Sequence, residues 1–163
     1  MKYELVKIND LSGKYASIYT IKIDGEESTL LGKFIADHQG TYKDDVGEIL
    51  SKLEAIGKDF GARKSLFKEH EGKGGDLVVA LYDDPDKNLR LYGIKYSKCL
   101  LVVGDGGVKK VRALQDDERL KETNYFIRQV SDDIAKKMQE KEMRFSNDDL
   151  DFEGDLTIDT ESL

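Results

Sequence analysis

The 163-residue chain is 39% apolar, which suits one domain with a single hydrophobic core. Its only cysteine, Cys99, excludes an intramolecular disulfide scaffold and a cluster of thiolate metal ligands, and it favours a reducing, cytoplasmic setting. No apolar run approaches the roughly 20 residues that span a bilayer, and the amino terminus lacks the apolar segment of a signal peptide, so we expect a soluble protein with no membrane partner.

The net charge of −7 is concentrated at the carboxyl end of the chain. Residues 145–163 contain seven of the 33 acidic residues and no lysine or arginine, whereas residues 1–144 contain 26 acids and 26 bases. We therefore divide the chain into a neutral single domain, residues 1–144, and an acidic C-terminal extension, residues 145–163. A neutral domain neither favours nor excludes a phosphate-binding face.

Two strands are predicted near the amino terminus. Residues 3–8 form a short candidate, and residues 16–23 a better one, because Tyr19, Ile21 and Ile23 alternate with polar residues. Asp24 and Gly25 then supply a break in the chain.

Two helices follow. Ser28 is expected to cap a short helix that ends near His38, and Asp44 or Asp45 to cap a second helix with Gly57 at its C′ position. Apolar residues recur at helical spacing in both segments, so this pair is expected to cover one face of a sheet.

The segment between Gly57 and Leu77 is punctuated by glycines and predicts a partly helical, partly mobile connection. It is rich in cations, namely Lys58, Arg63, Lys64, Lys68 and Lys73.

Residues 77–110 predict an antiparallel meander of three strands, residues 77–82, 89–96 and 99–103. A turn cluster around Pro85 separates the first two strands, and two residues form a tight hairpin between the last two. Glycines at 104, 106 and 107 are expected to end the third strand.

Cationic residues cluster around the meander. On its middle strand Arg90, Tyr92 and Tyr96 share one face, because successive side chains alternate across a strand. Lys109 and Lys110 follow the last strand.

The strongest helix pattern begins at Asp116 or Asp117 and runs to about Lys141. Its apolar stripe either packs against the sheet or forms a dimer or partner interface. The stripe comprises Leu120, Thr123, Ile127, Val130, Ile134 and Met138.

The acidic extension contains four apolar residues at even positions, Leu150, Phe152, Leu156 and Ile158. Disordered acidic tails seldom alternate in this way, so we expect the extension to fold back as an edge strand or a hairpin bent at Gly154. Beside the cations of the meander it would compete with phosphate, and elsewhere it would be structural.

The residues offer no common catalytic site. His38 and His70 are the only histidines and lack metal-ligand spacing, and no serine or cysteine triad is indicated. The sequence GDGGVKK has the composition of a phosphate-binding loop but not its residue order, which favours a turn.

The order of these features resembles the RelE/ParE toxin superfamily, and within it the HigB-like, phage-derived branch. The resemblance covers residues 16–110 and depends most on LRLYGIKY at residues 89–96 and GGVKK at residues 106–110. It implies an α+β, RelE-like fold with a curved antiparallel sheet flanked by helices. To that fold this chain adds a long C-terminal helix and the short acidic extension.

The resemblance also implies the toxin of a toxin–antitoxin system, an endoribonuclease that cleaves messenger RNA on the ribosome without metal or cofactor. The ribose 2′-hydroxyl would attack its own phosphodiester, and fixed cations would stabilise the transition state. The resemblance implies Arg90, Lys109, Lys68 and Lys64 as catalytic residues, and Arg63, Lys110, Tyr92 and Tyr96 as RNA-binding residues. We expect these cations to converge in one groove.

A toxin of this kind implies a cognate antitoxin, often a helix-turn-helix protein. The alternative is a non-catalytic protein-interaction module of the same fold. The sequence does not specify the oligomeric state.

Overall fold

The computed structural model describes residues 1–63, 67–69, 77–81, 87–109 and 114–161. Within these ranges no helix is both long enough and apolar enough to cross a membrane. The described residues form an α+β fold with a mixed sheet, which confirms the predicted class.

In chain order the elements are β1 (Lys2–Lys7), a 3-10 turn (Asn9–Leu11), β2 (Ser17–Ile23), α1 (Leu30–His38), α2 (Lys43–Ala55), a π-helical turn (Ile56–Phe60), β3 (Phe67–Glu69), β4 (Val78–Leu81), β5 (Leu89–Ser97), β6 (Leu100–Val108), α3 (Leu114–Gln139), β7 (Met143–Phe145), β8 (Phe152–Gly154) and β9 (Thr157–Asp159). Seven strands form one sheet in the order β3-β4-β5-β6-β2-β1-β9, and β7 pairs with β8 in a separate hairpin.

The predicted meander is confirmed, since β4, β5 and β6 pair in antiparallel fashion. The prediction of a wholly antiparallel sheet is wrong at one place, because β2 lies parallel to β6. Parallel neighbours need a long crossover, which α1, α2 and the first meander strands provide.

Helices cover both faces of the sheet. The first two helices pack on one face, as predicted, and the buried stripe of α3 packs on the other, which makes the stripe part of the core. Buried residues of the first face include Ile18, Phe34, Ile49, Leu53, Leu91 and Leu101. Those of the second include Tyr19, Ile94, Val102, Ile127, Val130 and Ile134. A sheet covered on both faces explains why its central strands are almost wholly apolar.

The N-cap of α1 lies one residue after the predicted position. The Thr29 hydroxyl accepts a hydrogen bond from the Gly32 backbone N–H at 3.1 Å, so Thr29, not Ser28, caps this helix. Either hydroxyl suits a cap, and the backbone geometry selects between them.

The α-helical part of α2 ends at Ala55 with Ile56 as its C-cap, which places Gly57 at the predicted C′ position. The chain does not leave the helix there, because it continues into the π-helical turn and turns away only at Gly61, whose φ is 80°. Gly57 is required for another reason: a Cβ atom there would lie 2.0 Å from the Leu11 carbonyl oxygen. The glycine therefore permits a close approach of two backbones.

The described part of the acidic extension pairs with the rest of the protein. Its β8 strand pairs with β7, and β9 pairs with β1 at the edge of the large sheet. Asp151 accepts hydrogen bonds from the hydroxyls of Ser17 and Tyr19 at 3.1 and 3.0 Å. Burial and the bond to Asp151 raise the pKa of Tyr19 to about 12, so this hydroxyl keeps its proton at neutral pH.

The extension lies away from Arg90. In the strand order β9 is four positions from β5, or about 19 Å at roughly 4.8 Å per strand. Of the two roles considered for the extension, competition with phosphate and structural support, this position fits structural support, since β9 closes a sheet edge that would otherwise be unpaired.

One ion pair joins the extension to α3. The Lys137 side chain is 3% exposed, and its ammonium group donates to Asp155 Oδ2 at 2.9 Å and to the Thr157 carbonyl. The hydrogen bond from Lys137 is the largest cause that lowers the pKa of the Asp155 carboxyl.

Replacing Asp155 with asparagine removes the ion pair with Lys137 and should therefore lower the free energy of unfolding at pH 7. The loss should be about 1 kcal/mol, because the pair is partly solvated. The folded-state pKa of Asp155 is depressed, so its stabilisation is present above the unfolded pKa of about 3.9 and is lost as the pH falls through the folded pKa. Urea unfolding at pH 7 and pH 3 measures the difference. Asp132→Asn, at an exposed position of α3, is the control; equal effects of both variants at pH 7 would contradict this role.

Candidate nucleic-acid interface

The start of β5 is held by the first turn of α2. The Asp45 carboxylate, which the sequence predicts as a possible helix cap, instead accepts hydrogen bonds from the backbone N–H groups of Asn88 and Leu89 at 2.8 and 3.2 Å. Arg90 is the next residue, so these two hydrogen bonds fix the backbone from which the Arg90 side chain extends. Bonds to a charged acceptor are stronger than neutral ones.

Glycines bring β6 unusually close to Arg90. The strand does not end at Val103 as predicted but continues to Val108, with Gly107 paired to Arg90. A Cβ atom on Gly106 would lie 1.9 Å from the Arg90 carbonyl oxygen. These glycines therefore form neither a turn nor a phosphate loop; they permit close pairing of two strands.

The Arg90 side chain lies on the α3 face of the sheet beside Tyr92. Its Nη1 donates to the Tyr92 hydroxyl at 3.2 Å, and its guanidinium carbon lies 5.9 Å from the centre of the ring. Tyr92 is 4% exposed, so its ring serves packing and orients the guanidinium.

An open cleft of about 430 Å³ separates β5 from the first half of α3. The α3 side chains in it are spaced three or four residues apart, which places them on one stripe of the helix. The lining residues are Arg90, Tyr92, Asp117, Leu120, Lys121, Asn124, Tyr125 and Arg128.

The charged groups of the cleft are mainly cationic. Asp117 pairs with Lys121 at 3.0 Å, and this hydrogen bond is the largest cause that raises the pKa of the Lys121 ammonium group. Arg128 lies over the ring of Tyr125, 5.7 Å from its centre, and Tyr125 is 69% exposed. Three cations, one carboxylate and an exposed aromatic ring thus line the same cleft, a composition that suits a nucleotide strand.

Arg119 fixes α3 against the strand that faces Arg90. Its guanidinium donates to the Gly106 carbonyl, to Asp105 Oδ1 and to Asp37 Oδ2, each at 2.9 Å. One side chain therefore joins α3, β6 and α1.

The backbone register places two other predicted cations near Arg90. The Lys109 N–H donates to the Asn88 carbonyl, and Lys109 lies diagonally across from Arg90, a spacing of about 7–8 Å. Lys68 pairs with Ala80, which pairs with Tyr92, so its backbone lies two strands, or about 10 Å, from β5. Lys64 and Lys110 lie outside the described residues.

Two predicted RNA-binding residues are not brought to Arg90. The Ala62 N–H donates to the Lys98 carbonyl at 2.7 Å, which puts Arg63 beside the turn between β5 and β6. That turn lies eight residues from Arg90, about 26 Å along the strand. Tyr96, near the same end, packs its ring against Phe145 and Phe152.

The α3 side of the cleft was not predicted from the sequence. Lys121, Tyr125 and Arg128 belong to the polar face of α3, which the pattern alone assigns to solvent. Their spacing beside the buried Leu120 and Ile127 is the one signal that could have indicated them.

Comparisons with protein-family models, with curated proteins and with solved structures find no match to the chain. The fold and the cleft define an α+β protein with a cationic groove between a sheet and a long helix. In the described part of the chain no three histidine, cysteine or acidic side chains are grouped to hold a metal ion. Membership of the RelE/ParE superfamily stays a prediction.

Replacing Gly106 with alanine should destabilise the protein by about 2 kcal/mol, because the new methyl group forces β5 and β6 apart. Gly47→Ala is the matched control, since a Cβ atom at this helical position meets nothing within 4 Å, and it should stabilise the protein by about 0.5–1 kcal/mol. Thermal and urea unfolding of both variants measure the two effects. A neutral Gly106→Ala would contradict the close pairing.

Proposed function

We propose that the chain is the toxin of a toxin–antitoxin system, a RelE-like endoribonuclease that cleaves messenger RNA on the ribosome without metal or cofactor. The observation that carries this proposal is the cleft in which Arg90 faces Lys121, Arg128 and the exposed ring of Tyr125. A helix-turn-helix antitoxin would be its cognate partner. The curved sheet of the RelE fold belongs to the same proposal.

The proposed reaction is an intramolecular transesterification at phosphorus. The ribose 2′-oxygen bonds to the adjacent phosphorus, and the bond to the 5′-oxygen of the next nucleotide breaks. The products are a 2′,3′-cyclic phosphate and a free 5′-hydroxyl, so atoms balance without water or metal. Negative charge accumulates on the phosphorane oxygens, where the fixed guanidinium of Arg90 offers two parallel donors.

Proton transfer needs an acceptor at the 2′-hydroxyl and a donor at the leaving oxygen. The Asp117 carboxylate lines the cleft and is the proposed acceptor at the 2′-hydroxyl. Lys109, placed near Arg90 by the register, holds the neighbouring phosphate. Lys68, and Lys64 outside the described residues, are the proposed donors to the leaving oxygen.

A second candidate function uses the same cleft without catalysis. Tyrosine and arginine dominate the energetics of protein interfaces, and Tyr125 with Arg128 forms an exposed pair of this kind. The alternative is a non-catalytic interaction module that docks a partner protein at this cleft.

Arg90→Ala should lower the rate of RNA cleavage by about 10²–10³-fold, because it removes donors aimed at the transition state. The measurement is induced expression of the intact chain, scored by growth and RNA integrity, followed by cleavage of a labelled single-stranded RNA by purified protein. Arg90→Lys keeps the charge but loses the fork and should recover part of the rate. Equal cleavage by Arg90→Ala and the parent chain would refute the proposed site, and absence of cleavage by the parent chain would leave the interaction module.

Tyr125→Ala should weaken binding of a single-stranded RNA by about 1–3 kcal/mol, or roughly 5–150-fold, because a base loses its stacking surface. Tyr125→Phe is the control, since it keeps the ring and should bind within about twofold of the parent chain. Fluorescence anisotropy, with a duplex of the same sequence for comparison, measures both. A larger loss in Tyr125→Phe than in Tyr125→Ala would assign the effect to the hydroxyl and contradict stacking.

A further inference from the structure

Three separate parts of the chain meet at the end of the sheet opposite Arg90. The Ala62 N–H donates to the Lys98 carbonyl at 2.7 Å, which joins the segment after α2 to the turn between β5 and β6. The Tyr15 N–H donates to the Gly57 carbonyl at 3.0 Å, which joins the π-helical turn to the loop before β2. These hydrogen bonds bring the three parts of the chain together, so their exposed side chains share one patch of the surface.

Each of the three parts contributes exposed cations. Lys14 comes from the loop, Lys58 and Arg63 from the segment around the π-helical turn, and Lys98 from the strand turn. Lys58 lies 3.8 Å from the Glu54 carboxylate. Among the described residues no carboxylate lies within ion-pair distance of the other three cations.

Two of these cations lie over aromatic rings. Tyr15 is 41% exposed, and the Lys14 ammonium group lies 5.1 Å from the centre of its ring. The guanidinium of Arg63 lies 4.8 Å from the centre of the half-buried ring of Phe60. Cations stacked on rings present both a charge for phosphate and a flat surface for a base.

The patch is separate from the cleft. It lies about 26 Å along β5 from Arg90 at roughly 3.3 Å per residue. Ile56 and Ala62, which anchor its segment, are buried in the core under α1 and α2, whereas the cleft lies on the α3 face. No single phosphate reaches both groups of cations.

We infer that this patch is a second binding site for single-stranded RNA, distinct from the cleft. The patch carries four cations in a protein whose net charge is −7, and among the described residues only Lys58 of the four has a carboxylate within ion-pair distance. The rings of Tyr15 and Phe60 beside these cations favour a nucleic acid over a simple anion, since every base offers a flat face to stack. The choice of RNA rests on the proposed function, but binding at the patch does not require cleavage.

The test is fluorescence anisotropy of a labelled, unstructured 20-nucleotide RNA with the full chain. Arg63→Ala/Lys98→Ala should weaken binding about tenfold. It should also reduce the slope of log K against log salt by about 1.4, or roughly 0.7 for each lost phosphate contact on a single strand. Lys33→Ala/Lys136→Ala removes the same charge from exposed positions of α1 and α3 and should leave the slope unchanged.

The outcomes separate this inference from the proposed activity. Loss of affinity and slope in the patch variant, with binding retained by Arg90→Ala, supports the second site even if the protein cleaves nothing. Equal binding by the patch and control variants overturns it, even if Arg90→Ala abolishes cleavage. Patch-dependent binding to vesicles of phosphatidylserine without binding to RNA overturns it as well.

Discussion

The close pairing of β5 with β6 is the constraint on which the rest of the structure depends. Glycines at 106 and 107 remove the side chains that would separate the strands, and a methyl group at 106 would lie 1.9 Å from the Arg90 carbonyl oxygen. The Gly106 carbonyl accepts a hydrogen bond from Arg119, so the first turns of α3 are anchored to the same segment of β6. Both sides of the cleft, Arg90 and α3, therefore contact this glycine segment.

Burial of both sheet faces explains how a chain with so many charges forms a core. The central strands contribute side chains to two layers, each covered by helices, and this doubles the apolar area that each strand removes from water. One polar pair lies inside the α3 layer: the hydroxyl of Tyr3 donates to the buried Asp133 carboxylate of α3 at 2.6 Å. Burial and this bond raise the pKa of Tyr3, so the hydroxyl remains a donor. The buried hydroxyl of Tyr96 in the same layer has no hydrogen-bond partner among the described residues.

Local pattern predicted the helices, the meander and the apolar stripe of α3, because each depends on spacing within one segment. It failed where a distant backbone decides the conformation. Gly57 suits a helix end, yet the close approach of the Leu11 backbone is what requires a glycine there. Asp45 suits a helix cap, yet its carboxylate accepts a hydrogen bond from the Asn88 backbone N–H. The cleft was half predicted: Arg90 follows from strand alternation, but the α3 residues opposite it depend on how the helix packs across the sheet.

The distribution of charge reconciles an acidic chain with two cationic surfaces. Four carboxylates of the extension lie within 4.0 Å of nearby cations: Asp151, Glu153, Asp155 and Glu161. The edge strand β9 lies about 19 Å from β5, more than twice the Debye length of about 8 Å at physiological salt. Screening therefore isolates the cleft from that acidic edge, and a phosphate near Arg90 experiences the local cations and not the net charge of the chain.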